Sequence, residues 1–242
     1  MQTKKIINEG ARAVDEMLDG ILAAHPLHLT RIEGSPRSVV ARNGPRPGKV
    51  GLVVGGGSGH EPSFLGFVGR GLADAAAVGN VFASPPPDPI LACAKAVDGG
   101  AGVLFLYGNY AGDVMNFDMA AEMAAMDDIE VRTVLTTDDV ASAPRDQRSK
   151  RRGVAGNFFV FKAAGAACDL MLPFDECERI IRKANDRTTV TLFAARDPQA
   201  EFRDRPGRNG DRHGHPWRAG DCSWQTQDRR RDHRRDARQN FG

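Results

Sequence analysis

The segment Gly55-Gly56-Gly57-Ser58-Gly59-His60-Glu61-Pro62 constrains the fold of this chain more than any other. It is preceded by Lys49-Val50-Gly51-Leu52-Val53-Val54, an apolar run short enough to be a buried strand. It is followed by Ser63-Phe64-Leu65-Gly66-Phe67-Val68, which can open a helix. A strand that runs into glycines, a histidine and a carboxylate brings bare backbone N–H groups and two ionisable side chains to one sheet edge. Ligands of α/β sheets bind at such edges, and glycine lets the backbone approach a small polar ligand closely. The same residues also fit a tight strand-to-helix turn carrying an incidental histidine.

The glycines do not form a nucleotide signature. A P-loop requires GxxxxGK[ST], and no Lys-Ser or Lys-Thr pair follows here. The dinucleotide pattern GxGxxG fits Gly51 to Gly56 only if glycines are placed within the strand itself. The expected ligand is therefore a small polar substrate rather than ATP or NAD.

A second constellation lies further along. Gly102-Val103-Leu104-Phe105-Leu106-Tyr107 reads as a buried strand ending in Gly108-Asn109-Tyr110-Ala111-Gly112-Asp113, and a helix follows through Met115, Met119, Met123 and Met126. Asp113 fits a helix cap; it equally fits a base at the strand tip, on the sheet edge expected to carry His60. A third strand, Ala77 to Ser84, ends in Pro85-Pro86-Pro87-Asp88-Pro89, which stops it and sets the start of the next helix. The first helix carries Ile7, Ala11, Val14, Met17, Leu18, Ile21 and Leu22 on one face and ends at Pro26. Helices are expected over Asn157 to Ala167 and Phe174 to Ala184, and strands near 50–54, 77–83, 102–107 and 130–135. Their alternation gives an α/β fold, a layered sheet flanked by helices.

GGGSGHEP at 55–62, FASPPPDPI at 82–90, GNYAGDVMNF at 108–117 and Arg151-Arg152-Gly153-Val154-Ala155-Gly156 together resemble the substrate-binding subunit of the dihydroxyacetone (glycerone) kinase family, which phosphorylates short-chain hydroxyketones. The likeness covers residues 1 to about 186 in order. It implies that Gly57 and Ser58 contact the substrate, that His60 hydrogen-bonds it, and that Asp113 takes a proton from the hydroxyl attacking phosphorus. The family often has a lysine where Gly108 stands; glycine there keeps a backbone contact and makes a four-carbon sugar such as erythrulose plausible beside dihydroxyacetone. No metal ligand is expected in this chain. ATP with Mg²⁺, or a phosphorelay-charged ADP, would arrive on a nucleotide-binding partner domain or subunit. The family subunit has two α/β domains and forms a homodimer in its intact members, so residues 1–186 would be an incomplete first domain.

Family members hold the substrate carbonyl covalently through the histidine of an Ile-His-Gly-Glu-Pro-Gly motif, which selects ketones and orients the reacting hydroxyl. No such motif occurs here. Residues 187–242 instead hold 13 of the 26 arginines and none of the 7 lysines, with a net charge of +5 against −3 for residues 1–186. A basic arm for nucleic acid is one reading. The acids interspersed among the arginines, as in Arg203-Asp204-Arg205, and the lack of a binding motif oppose it. A reading-frame slip near 187–200 accounts for more. Back-translating Glu201 to Gly220 and shifting one base forward permits Asn-Phe-Glu-Ile-Gly, two variable residues, then Glu-Met-Glu-Ile-Gly-Met-Gly-Ile-His-Gly-Glu-Pro-Gly, with the histidine codon straddling Pro216 and Trp217. On this reading 187–242 is a low-order tail, His213, His215 and Cys222 are accidental, and the kinase is crippled by loss of its anchor.

Cys93, Cys168 and Cys177 show no CxxC spacing and read as small buried thiols. No apolar run is long enough to span a bilayer, and the N-terminus does not continue into a signal-peptide core, so a cytoplasmic location is expected. Arg151-Arg152 reads as a solvated pair at a helix start, with contact to phosphate or an acidic partner as the alternative. A ketose-binding module or regulator without turnover remains as a different class of function.

Overall fold

The computed structural model describes residues 8–42 and 44–190. Of the low-order Arg-rich tail expected over 187–242, residues 191–242 lie outside the described residues, with His213, His215 and Cys222, while Arg187 closes a helix and Val190 N donates to Asp138 O at 2.7 Å. Ile7 of the first helical stripe lies outside them as well.

A six-stranded sheet has the order β1-β2-β4-β3-β5-β6. The strands are β1 (Leu29–Ile32), β2 (Ser35–Ala41), β3 (Gly51–Ser58), β4 (Ala75–Val81), β5 (Val103–Gly108) and β6 (Val131–Thr136). β4, β3, β5 and β6 run parallel, while β1 and β2 add an antiparallel hairpin to the β4 edge. The parallel strands are apolar runs because both their faces are covered. Val53, Phe105 and Tyr107 point to one side, against α2 (Pro87–Val97) and α3 (Ala111–Ala125). Leu52, Val54, Leu104 and Leu106 point to the other, against α1 (Ala13–Ala24), α4 (Asn157–Asp169) and α5 (Phe174–Arg187). The alternation of the pleat thus builds two cores from one sheet, and the expected layered α/β architecture is what forms.

Most expected elements lie within a few residues of their predicted places. α2 starts at Pro87 with proline in its first turn, where a missing N–H costs nothing. In α1, Val14 and Leu18 are buried and Met17, Ile21 and Leu22 pack beside them, but Ala11 is exposed in a short 3₁₀ turn that precedes the helix.

Two expectations are corrected, and one element was not foreseen. Residues 63–68 do not open an α-helix; only a 3₁₀ turn forms at Leu65–Phe67. The Phe64 ring fills the space above Gly56, and Gly66 backs closely onto Pro62, so the segment folds back on itself. The β1–β2 hairpin, turning at Glu33-Gly34 with Gly34 at φ +75°, was not expected at all. Arg151-Arg152 precedes α4 rather than starting it, and Arg151 is buried, its Nε donating to Ala143 O at 2.8 Å. Only Arg152 fits the solvated reading, half-exposed and paired with buried Asp139 at 3.3 Å. Cys93, Cys168 and Cys177 are free and buried, as expected, and burial pushes the Cys93 thiol up to about 12.

Candidate functional site

β3 lies between β4 and β5, and the chain leaves it leftward to β4 but later builds rightward through β5 and β6. This is the reversal at which an open parallel sheet offers a crevice beyond its strand ends. The β3–β5 register ends at Val53↔Phe105, although β3 continues to Ser58 and β5 to Gly108. On its other side β3 stays paired with β4 as far as Ser58. The crevice therefore opens between the tips of β3 and β5, with His60 following the β3 tip and Asp113 following the β5 tip.

The glycines at the β3 tip serve packing as well as access. A Cβ on Gly55 would lie 2.9 Å from Phe117, one on Gly56 would enter the Phe64 ring, and one on Gly57 would lie 2.7 Å from Ala83 N. Ser58 is buried, and its hydroxyl donates to Gly79 O at 2.8 Å, which commits that proton to β4. Glu61 closes the turn by accepting from Gly59 N at 2.9 and 3.2 Å. Of the two ionisable groups expected at this tip, then, the carboxylate is spent on the turn and the imidazole is free to act. His60 Nδ1 lies 2.9 Å from Gly57 O. A carbonyl oxygen only accepts, so Nδ1 carries the proton and neutral His60 presents Nε2 as an acceptor.

Across the crevice, Gly108 is buried, and a Cβ there would sit 3.0 Å from the Tyr110 ring and 3.1 Å from Gly153 O. Asn109 donates through Nδ2 to Ser149 O and Arg151 O, which ties the β5 tip to the loop before α4. Asp113 stands in the first turn of α3 but does not cap it; the cap position is Tyr110, which makes no side-chain cap bond. The Asp113 Oδ1 is buried without a partner among the described residues. Burial raises its carboxyl above the ordinary value, against the Ser84 hydroxyl and the charge His60 carries when protonated, which pull it down. A carboxylate so placed gains from accepting a hydroxyl proton donor, and its raised pKa makes it a better base.

The sequence reading placed all five candidate residues, Gly57, Ser58, His60, Gly108 and Asp113, on this edge. It gave no role to Ser84, which bears on Asp113, or to Phe82, whose ring meets His60 edge-on at 5.2 Å. Both lie in the FASPPPDPI stretch, so the signal was a motif already singled out. It also passed over Asp138, fully buried beyond β6, which accepts from Val154 N at 3.0 Å and Gly156 N at 2.9 Å.

The Dak1 domain family model matches residues 19–207. The dihydroxyacetone-binding subunit DhaK of PTS-dependent dihydroxyacetone kinase 2 from Listeria innocua is 50% identical over 185 residues, covering 76% of this chain and 55% of that protein. The D-erythrulose kinase of Mycolicibacterium smegmatis is 47% identical over 193 residues, covering 80% of this chain and 33% of that protein. Among solved structures, the native dihydroxyacetone kinase of C. freundii superposes with a TM-score of 0.72 at 36% identity, covering 78% of this chain and 34% of that one. This chain belongs to the Dak1 domain family. It spans about half the length of its DhaK relative and a third of the two longer kinases. Among the described residues no helix is long and apolar enough to cross a membrane.

Proposed function

We propose that residues 1–186 form the ketose-binding part of a hydroxyketone kinase, with dihydroxyacetone or a four-carbon ketose such as erythrulose in the crevice between β3 and β5. The carrying observation is that, among the described residues, Oδ1 of Asp113 is buried without a partner while His60 bears on the same carboxyl. Leaving a buried carboxylate oxygen without a partner is unfavourable, and a substrate hydroxyl supplies the missing bond. In this reading the hydroxyl donates to Asp113, His60 Nε2 accepts from a second substrate hydroxyl, and backbone groups of Gly57, Ser58 and Gly108 line the cradle. As the substrate oxygen bonds to phosphorus, Asp113 receives its proton and the nucleotide departs with the electrons of the broken bond. The donor, ATP with Mg²⁺ or a phosphorelay-charged ADP, is supplied by a nucleotide-binding partner domain or subunit, and the working assembly is cytoplasmic.

Residues 187–242 provide no Ile-His-Gly-Glu-Pro-Gly segment to bond the carbonyl. A frame slip in the coding sequence explains this, and resequencing the codons for 183–222 tests it. A chain without the anchor has little kinase activity and loses its preference for ketones. Calorimetric titration of the full chain with dihydroxyacetone, erythrulose and glycerol tests the whole reading. Binding of all three within about tenfold of one another, weakened by His60→Gln, is expected. Absence of binding into the millimolar range, or binding indifferent to His60, rejects it.

A further inference from the structure

Phe82 combines three properties that packing alone does not explain. Its φ is +53°, in the left-handed region that a bulky aromatic residue rarely enters. It is 60% exposed, so the conformation does not deliver the ring to a core. Its ring lies across the turn that carries His60: the two ring centroids are 5.2 Å apart at 80°, an edge-on arrangement. Backbone held in such a region persists only where its surroundings fix it, and such positions cluster at functional sites.

The surroundings do fix it. Phe82 N donates to Ser58 O at 2.8 Å, and Ala83 N to Asn80 O at 3.1 Å, which pins the end of β4 to the tip of β3. Gly59, at φ +98°, leaves open the space the ring takes; a Cβ there would lie 2.8 Å from Phe82 Cε1. Gly57, whose carbonyl accepts the hydrogen bond from His60 Nδ1, would bring a Cβ to 3.0 Å from the Phe82 carbonyl carbon. The Phe82 turn thus packs against Gly57 and Gly59, both just before His60 in the chain. The Phe64 ring centroid lies further from the imidazole, at 6.5 Å.

We propose that Phe82 is a positioning residue for His60: its ring holds the imidazole edge-on, so that Nδ1–H stays on Gly57 O and Nε2 faces the crevice. The positioning stands on the geometry alone; its effect on ligand binding rests on the ketose reading above.

The test is ¹⁵N NMR of the full chain with labelled histidine, the His60 signals being identified by their loss in His60→Gln. In the native chain His60 is expected as one tautomer, protonated at Nδ1. Phe82→Gly removes the ring and tolerates the positive φ, and is expected to give a mixture of both tautomers. Phe82→Leu does the same with a non-aromatic side chain and serves if Phe82→Gly unfolds. Phe82→Tyr is expected to restore the native signals. Dihydroxyacetone is expected to bind about two- to tenfold more weakly to the Gly and Leu variants, the range that one aromatic pair commands. His60 signals unchanged in folded Phe82→Gly or Phe82→Leu overturn the proposal. If the tautomers mix as expected but dihydroxyacetone perturbs His60 in no variant, the positioning holds and the ketose reading fails.

Discussion

Asp113 and Asp138 lie at the same end of the sheet, one just beyond β5 and the other just beyond β6, and burial raises the carboxyl of each above its ordinary value. Their hydrogen bonds differ completely. Asp138 is fully buried, and its two oxygens accept from Val154 N and Gly156 N, so the carboxylate builds the loop that leads into α4. Asp113 keeps one buried oxygen without a partner among the described residues. A buried carboxylate with every bond made internally is structural; one left a bond short is held ready for a group that arrives from outside. Acidity alone would not tell the two apart, since both shift in the same direction for the same first cause.

If that contrast is right, the two residues respond oppositely to removal. The largest effect is on turnover. With the nucleotide-binding subunit of a Dak1-family kinase supplied, Asp113→Asn is expected to lower whatever phosphoryl transfer the full chain supports by about 10²- to 10⁴-fold, the usual contribution of a positioned base. An ATP-consumption assay against dihydroxyacetone checks this, and unchanged turnover breaks the comparison. Next in size, Asp138→Ala strands two buried N–H groups and is expected to cost about 2–4 kcal/mol of stability, read by urea denaturation. A cost below about 0.5 kcal/mol would make Asp138 as dispensable as a surface acid.

Smaller effects sharpen the contrast. Gly56→Ala drives a methyl into the Phe64 ring and is expected to destabilise by about 1–3 kcal/mol through overpacking, while leaving Asp113 untouched. The smallest effect is a pH dependence. Because burial raises the folded-state carboxyl of Asp113, protonation favours the fold: its contribution is fully present below the unfolded carboxylate range near pH 4 and is lost as pH rises through the folded value. Asp113→Asn is therefore expected to be slightly more stable than the native chain at neutral pH, with the advantage vanishing in acid. Thermal melts at several pH values check the sign, and a native chain that gains on the variant as pH rises contradicts it.

The legible parts of the molecule were those where local pattern and tertiary role coincide. The apolar runs at 52–54 and 103–107 are strands because both faces are covered, and the prolines at 85–89 end one element and begin the next. The hairpin of β1 and β2 was not legible. β1 is only four residues long, the strands carry Arg31, Arg37 and Pro36, and the hairpin takes its place from antiparallel pairing of β2 with β4, which no local window records. The missing helix at 63–68 has the same origin, since a tertiary contact, Phe64 over Gly56, overrides local preference. At the site, the motif residues came together, but the hydrogen-bond state of each did not follow from the sequence. Nothing in the string says that Glu61 would be consumed by its own turn, that Ser58 would donate to Gly79, or that Phe82 would take a positive φ.

The central claim is that the crevice between β3 and β5 takes a small ketose through His60 and Asp113. Titrating dihydroxyacetone into the uniformly ¹⁵N-labelled full chain tests it most directly. The account expects saturable amide shifts concentrated at residues 57–61 and 108–113, and their loss in a His60→Gln, Asp113→Asn double variant that keeps the native spectrum elsewhere. Shifts centred on another part of the molecule, or shifts at the crevice that persist in the double variant, would contradict it.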